Sequence, residues 1–340
     1  MNIYRLSRSI QIVTVGSKLV ISSPFRAHSF TYDGLFSEVI NYVIEFGYDT
    51  ECIEVWTNRI ERKFRINKSM SDFIVKQLID HAILIRAPIL GMKMVGRHAR
   101  QVEFFENIEV DMCGEEINYK LQNTRIGIVG AGSYGSWLIQ LCAMTGVAAI
   151  TIADGDIIEE SNLNRQALFR SKDVGSYKVF AIKDRVEMEW PGTSIRAEHV
   201  YIETERDFKA TFGDCGFVFI PFGYPRSEKG KSVLSFLCNI SESCGIPYLI
   251  LGQAAVGPLW IPEGSIGVRK MLESKDYNLF VRNSRVKRDN NGSYAPRVAQ
   301  VAAAAYWEYT KYKAGLVDSV CVNSIFLCDI ARGRHIELVE

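Results

Sequence analysis

A chain of 340 residues is long enough for about two domains with a sizeable core. Its 47% hydrophobic and 23% charged residues exclude disordered and fibrous classes. Forty Lys and Arg against 39 Asp and Glu leave a formal charge of +1, which argues against a protein held on nucleic acid by bulk electrostatics. Nor does any uninterrupted apolar run reach the roughly 18 residues of a membrane span. Arg5, Ser7, Arg8 and Ser9 interrupt the first apolar stretch, so no secretory signal is expected. The eight cysteines are scattered without a CxxC pair, so no zinc is expected, and the expected compartment is the reducing cytoplasm.

In chain order, residues 1–88 open with alternating segments. Ile10 to Val15 and Lys18 to Ile21, separated by Gly16-Ser17, read as a hairpin. Three short amphipathic stretches follow, one carrying Phe36, Val39, Ile40 and Val43, one from Ile53 to Ile60, and one carrying Phe73, Ile74, Leu78 and Ile79. A hairpin with small helices predicts a winged-helix-like module without a catalytic cluster. Residues 89–123 read as a mixed-charge connector. From residue 124 onward strands and helices alternate, the pattern of an α/β, doubly wound, Rossmann-like sheet. The predicted strands are Ile126–Val129, Ala149–Ile152, Ile195–Val200, Phe217–Ile220 and Tyr248–Leu251, with helices at Tyr134–Met144, Lys178–Trp190 and Ser227–Cys244 between them. A weakly patterned loop over 264–295, holding the basic run Arg282 to Arg288, precedes an alanine-rich helix from Arg297 to Lys313.

The first predicted strand of this second region runs directly into Gly130-Ala131-Gly132-Ser133-Tyr134-Gly135, a GxGxxG turn in a strand-to-helix context. Gly130 and Gly132 permit a tight turn and close approach to phosphate, and Gly135 permits close packing of helix on strand. The helix N-terminus supplies amide donors. Asp154 ends the next strand about 20 residues further on, where a carboxylate accepts from ribose hydroxyls. These features serve NAD and ATP equally. The stretch that follows is richer in polar groups than a dehydrogenase needs: Asp156, then Ser161-Asn162-Leu163-Asn164-Arg165-Gln166, then Gly175 and Lys178. Arg165 and Lys178 suit neutralisation of a triphosphate.

Together with Arg97 to Gln101, Gly257-Pro258-Leu259-Trp260-Ile261-Pro262 and Ala295-Pro296, these motifs resemble the ThiF, MoeB and MccB group of adenylating enzymes, relatives of the ubiquitin-activating enzymes. The resemblance covers about residues 97–313. It implies an ATP-binding adenylation domain over 124–340 with a crossover loop at 264–295. Asp154 would bind ribose, and Asn162, Arg165, Gln166 and Lys178 would surround the phosphates. Arg100, in the connector, would act as an arginine finger in the neighbouring subunit of a homodimer. Asp156 completes the nucleotide-binding set with the three glycines of the turn, and Arg100, Arg165 and Lys178 are the expected catalytic residues.

Three departures qualify the resemblance. The family's paired CxxC zinc ligands are missing, and the crossover loop holds no cysteine for an enzyme-bound thioester. The acyl acceptor should therefore come from the substrate. The aspartate that usually helps to hold magnesium aligns with Gly223, so Mg2+ would be held differently. A small module ahead of such a domain resembles the leader-recognition domains of enzymes that modify ribosomally made peptides. The implied reaction is adenylation of a precursor-peptide carboxylate and its capture by a nucleophile of the same peptide. Glutamate condensation to a bicyclic core, as in pantocin A, is one form of it. An inactive scaffold that delivers a leader peptide to a partner enzyme is the alternative, and an NAD-dependent dehydrogenase a third reading.

Overall fold

The computed structural model describes residues 3–7, 10–15, 18–22, 29–46, 50–87, 96–106, 108, 113–225, 227–253, 255–275, 277, 293–316, 319–328 and 334–337. The chain divides into two compact units, residues 1–120 and 121–340. The basic run Arg282 to Arg288 lies outside the described residues.

In the first unit, β1 (Ile3–Leu6) is the central strand of an antiparallel sheet between β5 (Glu51–Cys52) and β6 (Leu84–Arg86). A second antiparallel sheet has the order β2 (Gln11–Val15), β3 (Lys18–Ser22), β4 (Ser29–Tyr32). The pairing of Val15 with Lys18 closes the hairpin that the alternation predicts. Three helices follow, α1 (Gly34–Glu45), α2 (Ile53–Phe64) and α3 (Lys68–Asp80), the last begun by the Asn67 side chain accepting from the Met70 amide. Each presents an apolar stripe to one core, where Val39, Ile40, Val43, Trp56, Ile60, Ile74 and Leu78 meet Leu6, Leu19 and Ile21.

Residues 89–123 hold two further helices, α4 (Ala99–Glu106) and α5 (Gly114–Gln122), where the sequence shows only mixed charge. A buried ion cluster explains part of that charge. The Arg5 guanidinium on β1 pairs with the Glu106 carboxylate of α4 and lies 3.4 Å from that of Glu115 on α5. Such charges belong to the interior only as partners, since either one alone would be left uncompensated out of water.

The second unit is built on an eight-stranded sheet. Five parallel strands run in the order β11 (Tyr248–Gly252), β10 (Phe217–Ile220), β7 (Arg125–Val129), β8 (Ala149–Ala153), β9 (Ser194–Glu198). The chain reverses direction across the sheet between β7 and β10, so their carboxyl ends form the switch point where open α/β sheets take ligands. Beyond β11 the sheet is extended antiparallel by β12 (Ala255–Trp260), β13 (Ser324–Leu327) and β14 (Arg334–Glu337). These three strands escape the sequence pattern, because β12 is buried throughout and contains Gly257-Pro258, residues that usually argue against a strand interior.

The helices α6 (Ser133–Met144), α7 (Lys178–Glu189), α8 (Glu205–Phe212) and α9 (Glu228–Ser243) alternate with the parallel strands. A short helix, α10 (Val268–Glu273), falls inside the segment read from sequence as an unpatterned loop. It buries only Val268 and Met271, too few residues for a period to register, and the Glu242 carboxylate accepts from its first amide. The long α11 (Ala295–Ala314) packs Tyr309 against Phe217 and Phe219 of β10. Among the described residues no helix is long and apolar enough to cross a membrane.

Candidate functional site

The site grows from the carboxyl ends of β7 and β8. The turn after β7 puts Gly130 at φ +95°, a conformation that strains any residue with a Cβ. A Cβ at Gly135 would overlap the Gly130 carbonyl oxygen, so glycine is required for α6 to start so near the strand. At Gly132 the space a Cβ would take is open for 4 Å, and the backbone there can be approached closely from outside. The three glycines thus have three distinct physical reasons.

Asp154, at the end of β8, holds this turn in shape. One of its carboxylate oxygens accepts from the Ala131 amide at 2.6 Å and the other from the Asp156 amide at 2.8 Å. Each oxygen retains acceptor capacity, so the carboxylate can still receive a ribose hydroxyl. Asp156 carries the network onward. Its Oδ2 accepts from Lys178 Nζ at 2.6 Å, and its Oδ1 from the Tyr201 phenol, also at 2.6 Å. Hydrogen bonding to Lys178 first, then to Tyr201, holds the Asp156 carboxyl below its ordinary pKa. Lys178 opens α7 and is 5% exposed, while the Asp156 side chain is half exposed. An unbroken hydrogen-bonded chain therefore runs from the glycine turn through Asp154 and Asp156 to a buried ammonium.

The polar stretch after β8 is folded back onto α6. Ser136 Oγ accepts from the Ala167 amide at 3.0 Å, and the Trp137 indole donates to the Arg165 carbonyl at 3.0 Å. Asn162 is buried and closes a capping box with Glu159. The Gln166 side chain is buried beside it, and its Oε1 has no hydrogen-bond partner. An orphaned acceptor in such a place normally has a partner to gain from a ligand or water. The Arg165 guanidinium donates through Nη1 to the Ser161 carbonyl and the Asn164 amide oxygen, and its Nε and Nη2 donors can still meet a phosphate.

Of the sequence-predicted residues, Gly130, Gly132, Gly135, Asp154, Asp156 and Lys178 form one connected network, with Asn162, Arg165 and Gln166 tied to it through α6. Arg100 belongs to the first unit, on α4, where its side chain is 93% exposed and paired only loosely with Glu103 at 3.2 Å. Two further residues join the site without a sequence signal. Tyr201 lies beyond β9 and reaches Asp156. His199 bonds the Gly155 carbonyl at 3.0 Å and lies against Tyr177, the residue before Lys178, with ring centroids 3.9 Å apart. Neither belongs to a spaced motif; only the sheet brings the end of β9 beside that of β8.

Among the described residues no three His, Cys, Asp or Glu side chains converge as a metal-binding group. The cysteines fall into two sets. Burial pushes the thiols of Cys113 up to about 12 and those of Cys215 and Cys328 up to about 11, and also raises Cys142, Cys238 and Cys321. Cys52 and Cys244 are half exposed. A thiol-specific disulfide reagent at pH 8 is therefore expected to titrate at most these two in the native protein and all eight after unfolding. Rapid reaction of a third thiol would show that a buried cysteine has access to solvent.

The ThiF family model matches residues 104–220. The NEDD8-activating enzyme E1 catalytic subunit of Caenorhabditis elegans is 38% identical over 111 residues, 32% of this chain and 26% of that protein. A probable molybdopterin-synthase adenylyltransferase of Gracilaria tenuistipitata is 32% identical over 93 residues, 27% of this chain and 26% of its own length. The SAMP-activating enzyme E1 of Haloferax volcanii is 37% identical over 167 residues, 47% of this chain and 58% of that one. The chain thus spans only about a quarter of the first two of these curated relatives.

Solved structures match at much greater length. E. coli MccB with ATP superposes with a TM-score of 0.74 at 19% identity, covering 99% of this chain and 97% of that one. PaaA superposes with a TM-score of 0.72 at 20% identity, covering 98% and 99%. At these identities the likeness is one of fold.

Proposed function

From a chain that carries a ThiF-family domain, we propose an ATP-dependent enzyme that activates a carboxylate of a ribosomally made precursor peptide as its acyl adenylate. The observation that carries this reading is the hydrogen-bonded chain from the glycine turn to the buried Lys178 ammonium, with open space at Gly132 and an orphaned Gln166 acceptor in the segment folded onto α6. On this reading the turn amides and Lys178 serve as donors for phosphate and Asp154 as the acceptor for ribose, all beyond the carboxyl ends of β7 and β8. A hydride transfer needs no buried ammonium there.

In this mechanism ATP lies over the glycine turn with its ribose at Asp154. Lys178 and Arg165 stabilise the negative charge that builds on the phosphates as the peptide carboxylate attacks the α-phosphorus and pyrophosphate leaves. Arg100, exposed on its own subunit, is supplied to the site of a second copy in a homodimer. A nucleophile of the same peptide then takes the acyl group and AMP departs. Condensation of glutamate side chains to a bicyclic core would be one outcome. Magnesium would arrive with the nucleotide, held by phosphate and water oxygens, since that ion needs few protein ligands.

Peptide recognition falls to the first unit. MccB has been solved with N-formylated MccA, so a chain of this fold can bind a precursor peptide. Here β2 is an outer strand of its sheet, and Val13 and Val15 stand exposed on it. An extended leader could add a strand at such an edge.

A second reading is favoured by Gly223. It sits at φ +78°, so the loop after β10 has a backbone shape that would strain an aspartate as well as lacking its carboxylate. On that reading the chain is a scaffold that binds leader peptide and hands it to a partner enzyme. Calorimetric titration of magnesium–ATP separates the two. One ATP per chain is expected, with affinity reduced in a folded Arg165→Ala variant. No binding to the wild type would favour the scaffold. During peptide turnover AMP and pyrophosphate should appear; ADP would overturn the adenylate step.

A further inference from the structure

We propose that Tyr201 is a positioning residue for Lys178, acting through Asp156, and that Gly155 is a glycine because the Tyr201 ring lies over it. The inference rests on the nucleotide-site reading above and extends it to a residue outside every motif of the family resemblance.

The geometry is specific. Asp156 divides its two carboxylate oxygens between two donors, Lys178 Nζ on Oδ2 and the Tyr201 phenol on Oδ1. Its backbone is fixed at both ends, the amide by Asp154 Oδ1 at 2.8 Å and the carbonyl by the Lys178 amide at 3.1 Å. What remains free is rotation of the carboxylate, and the phenol on Oδ1 removes it. Lys178 has four rotatable side-chain bonds, so its ammonium is only as well placed as the acceptor that holds it. A fixed acceptor matters most when phosphate arrives, because the ammonium must then serve two anions without being drawn wholly to either.

The sequence beneath the phenol supports the same role. A Cβ on Gly155 would come within 2.4 Å of the Tyr201 ring, too close for any carbon, so the ring packs directly on the Gly155 backbone. His199 bonds the carbonyl of that same glycine and lies tilted against the ring of Tyr177, directly before Lys178. The segment after β9 thus grips the 154–156 turn from one side while Lys178 grips it from the other. Tyr201 is largely exposed and contributes little core packing, so a purely structural reason for its placement is weak.

The test is a set of calorimetric magnesium–ATP titrations on the full chain. Tyr201→Phe keeps the ring over Gly155 and is expected to leave the thermal midpoint unchanged while weakening ATP binding about 5–10-fold, the effect of one charge-assisted hydrogen bond. In an Asp156→Ala background the same change should have no further effect, because its route to Lys178 is already cut. Gly155→Ala, which displaces the ring, should reproduce the Tyr201→Phe affinity. As a spectroscopic signature, the side-chain ammonium resonance of Lys178, assigned by its loss in Lys178→Arg, should shift or broaden in Tyr201→Phe.

Unchanged ATP affinity in Tyr201→Phe would overturn the proposal and leave the nucleotide reading intact. So would an equal loss in the Asp156→Ala background. If wild-type protein binds no ATP, the nucleotide reading fails, and an unmoved Lys178 resonance in Tyr201→Phe would then overturn the positioning role separately.

Discussion

Replacing Lys178 with alanine should weaken magnesium–ATP binding by about 30–100-fold and slow any ATP-dependent turnover by about 100–1,000-fold, with little change in stability. The ammonium is buried, held by Asp156, and linked through it to the turn that would cradle the phosphates. Its loss removes a charge from the place where phosphate charge must be met, in surroundings that screen less than water. The fold should tolerate the change, because Asp156 is half exposed and keeps its hydrogen bond from Tyr201, so water can solvate the carboxylate that Lys178 leaves. Calorimetry alongside a thermal melt checks both halves. Unaltered ATP affinity in a folded Lys178→Ala protein would refute the placement of the phosphates at this ammonium.

A second large effect should separate folding from binding within one turn. Gly135→Ala places a methyl group against the Gly130 carbonyl oxygen, a backbone atom that cannot move without shifting β7 or α6. We expect a loss of about 3 kcal/mol or more, at the upper end of overpacking costs, and a thermal midpoint lower by several degrees. Gly132→Ala meets nothing within 4 Å and has φ −73°, which alanine adopts readily. It should melt like the wild type yet bind ATP at least tenfold more weakly, because its methyl group occupies the approach to the turn. Paired melts and titrations of the two variants are decisive. A Gly132→Ala protein that binds ATP normally would show that no phosphate comes close to that backbone.

The residues of the site differ in how far the sequence disclosed them. The glycine turn, Asp154 and the neighbourhood of Lys178 were legible because their roles are local. A strand must end, the chain must turn without a Cβ, and a helix must begin, all within a dozen residues. The hairpin of β2 and β3 and the five parallel strands were legible for the same reason, as periodic apolar patterns broken by turn residues. The helices α4 and α5 were not, because their charged positions include Glu106 and Glu115, which are buried against Arg5 about a hundred residues away. Periodicity reads such residues as surface. The strand β12 was hidden by its glycine and proline, and β13 by a partner, β12, that lies about 70 residues away, as in the pairing of Ala255 with Leu327.

By itself, the sequence determined where the glycine turn lies and which carboxylate ends the strand beside it, since both follow from backbone sterics over short stretches of chain. The tertiary structure alone decided that Asp156 would share its oxygens between Lys178 and Tyr201, that Tyr201 would rest on Gly155, and that Gln166 would be buried with an unmet acceptor. Those contacts exist because parallel pairing of β7, β8 and β9 brings three strand ends side by side. No local rule of sequence specifies which residues will meet there.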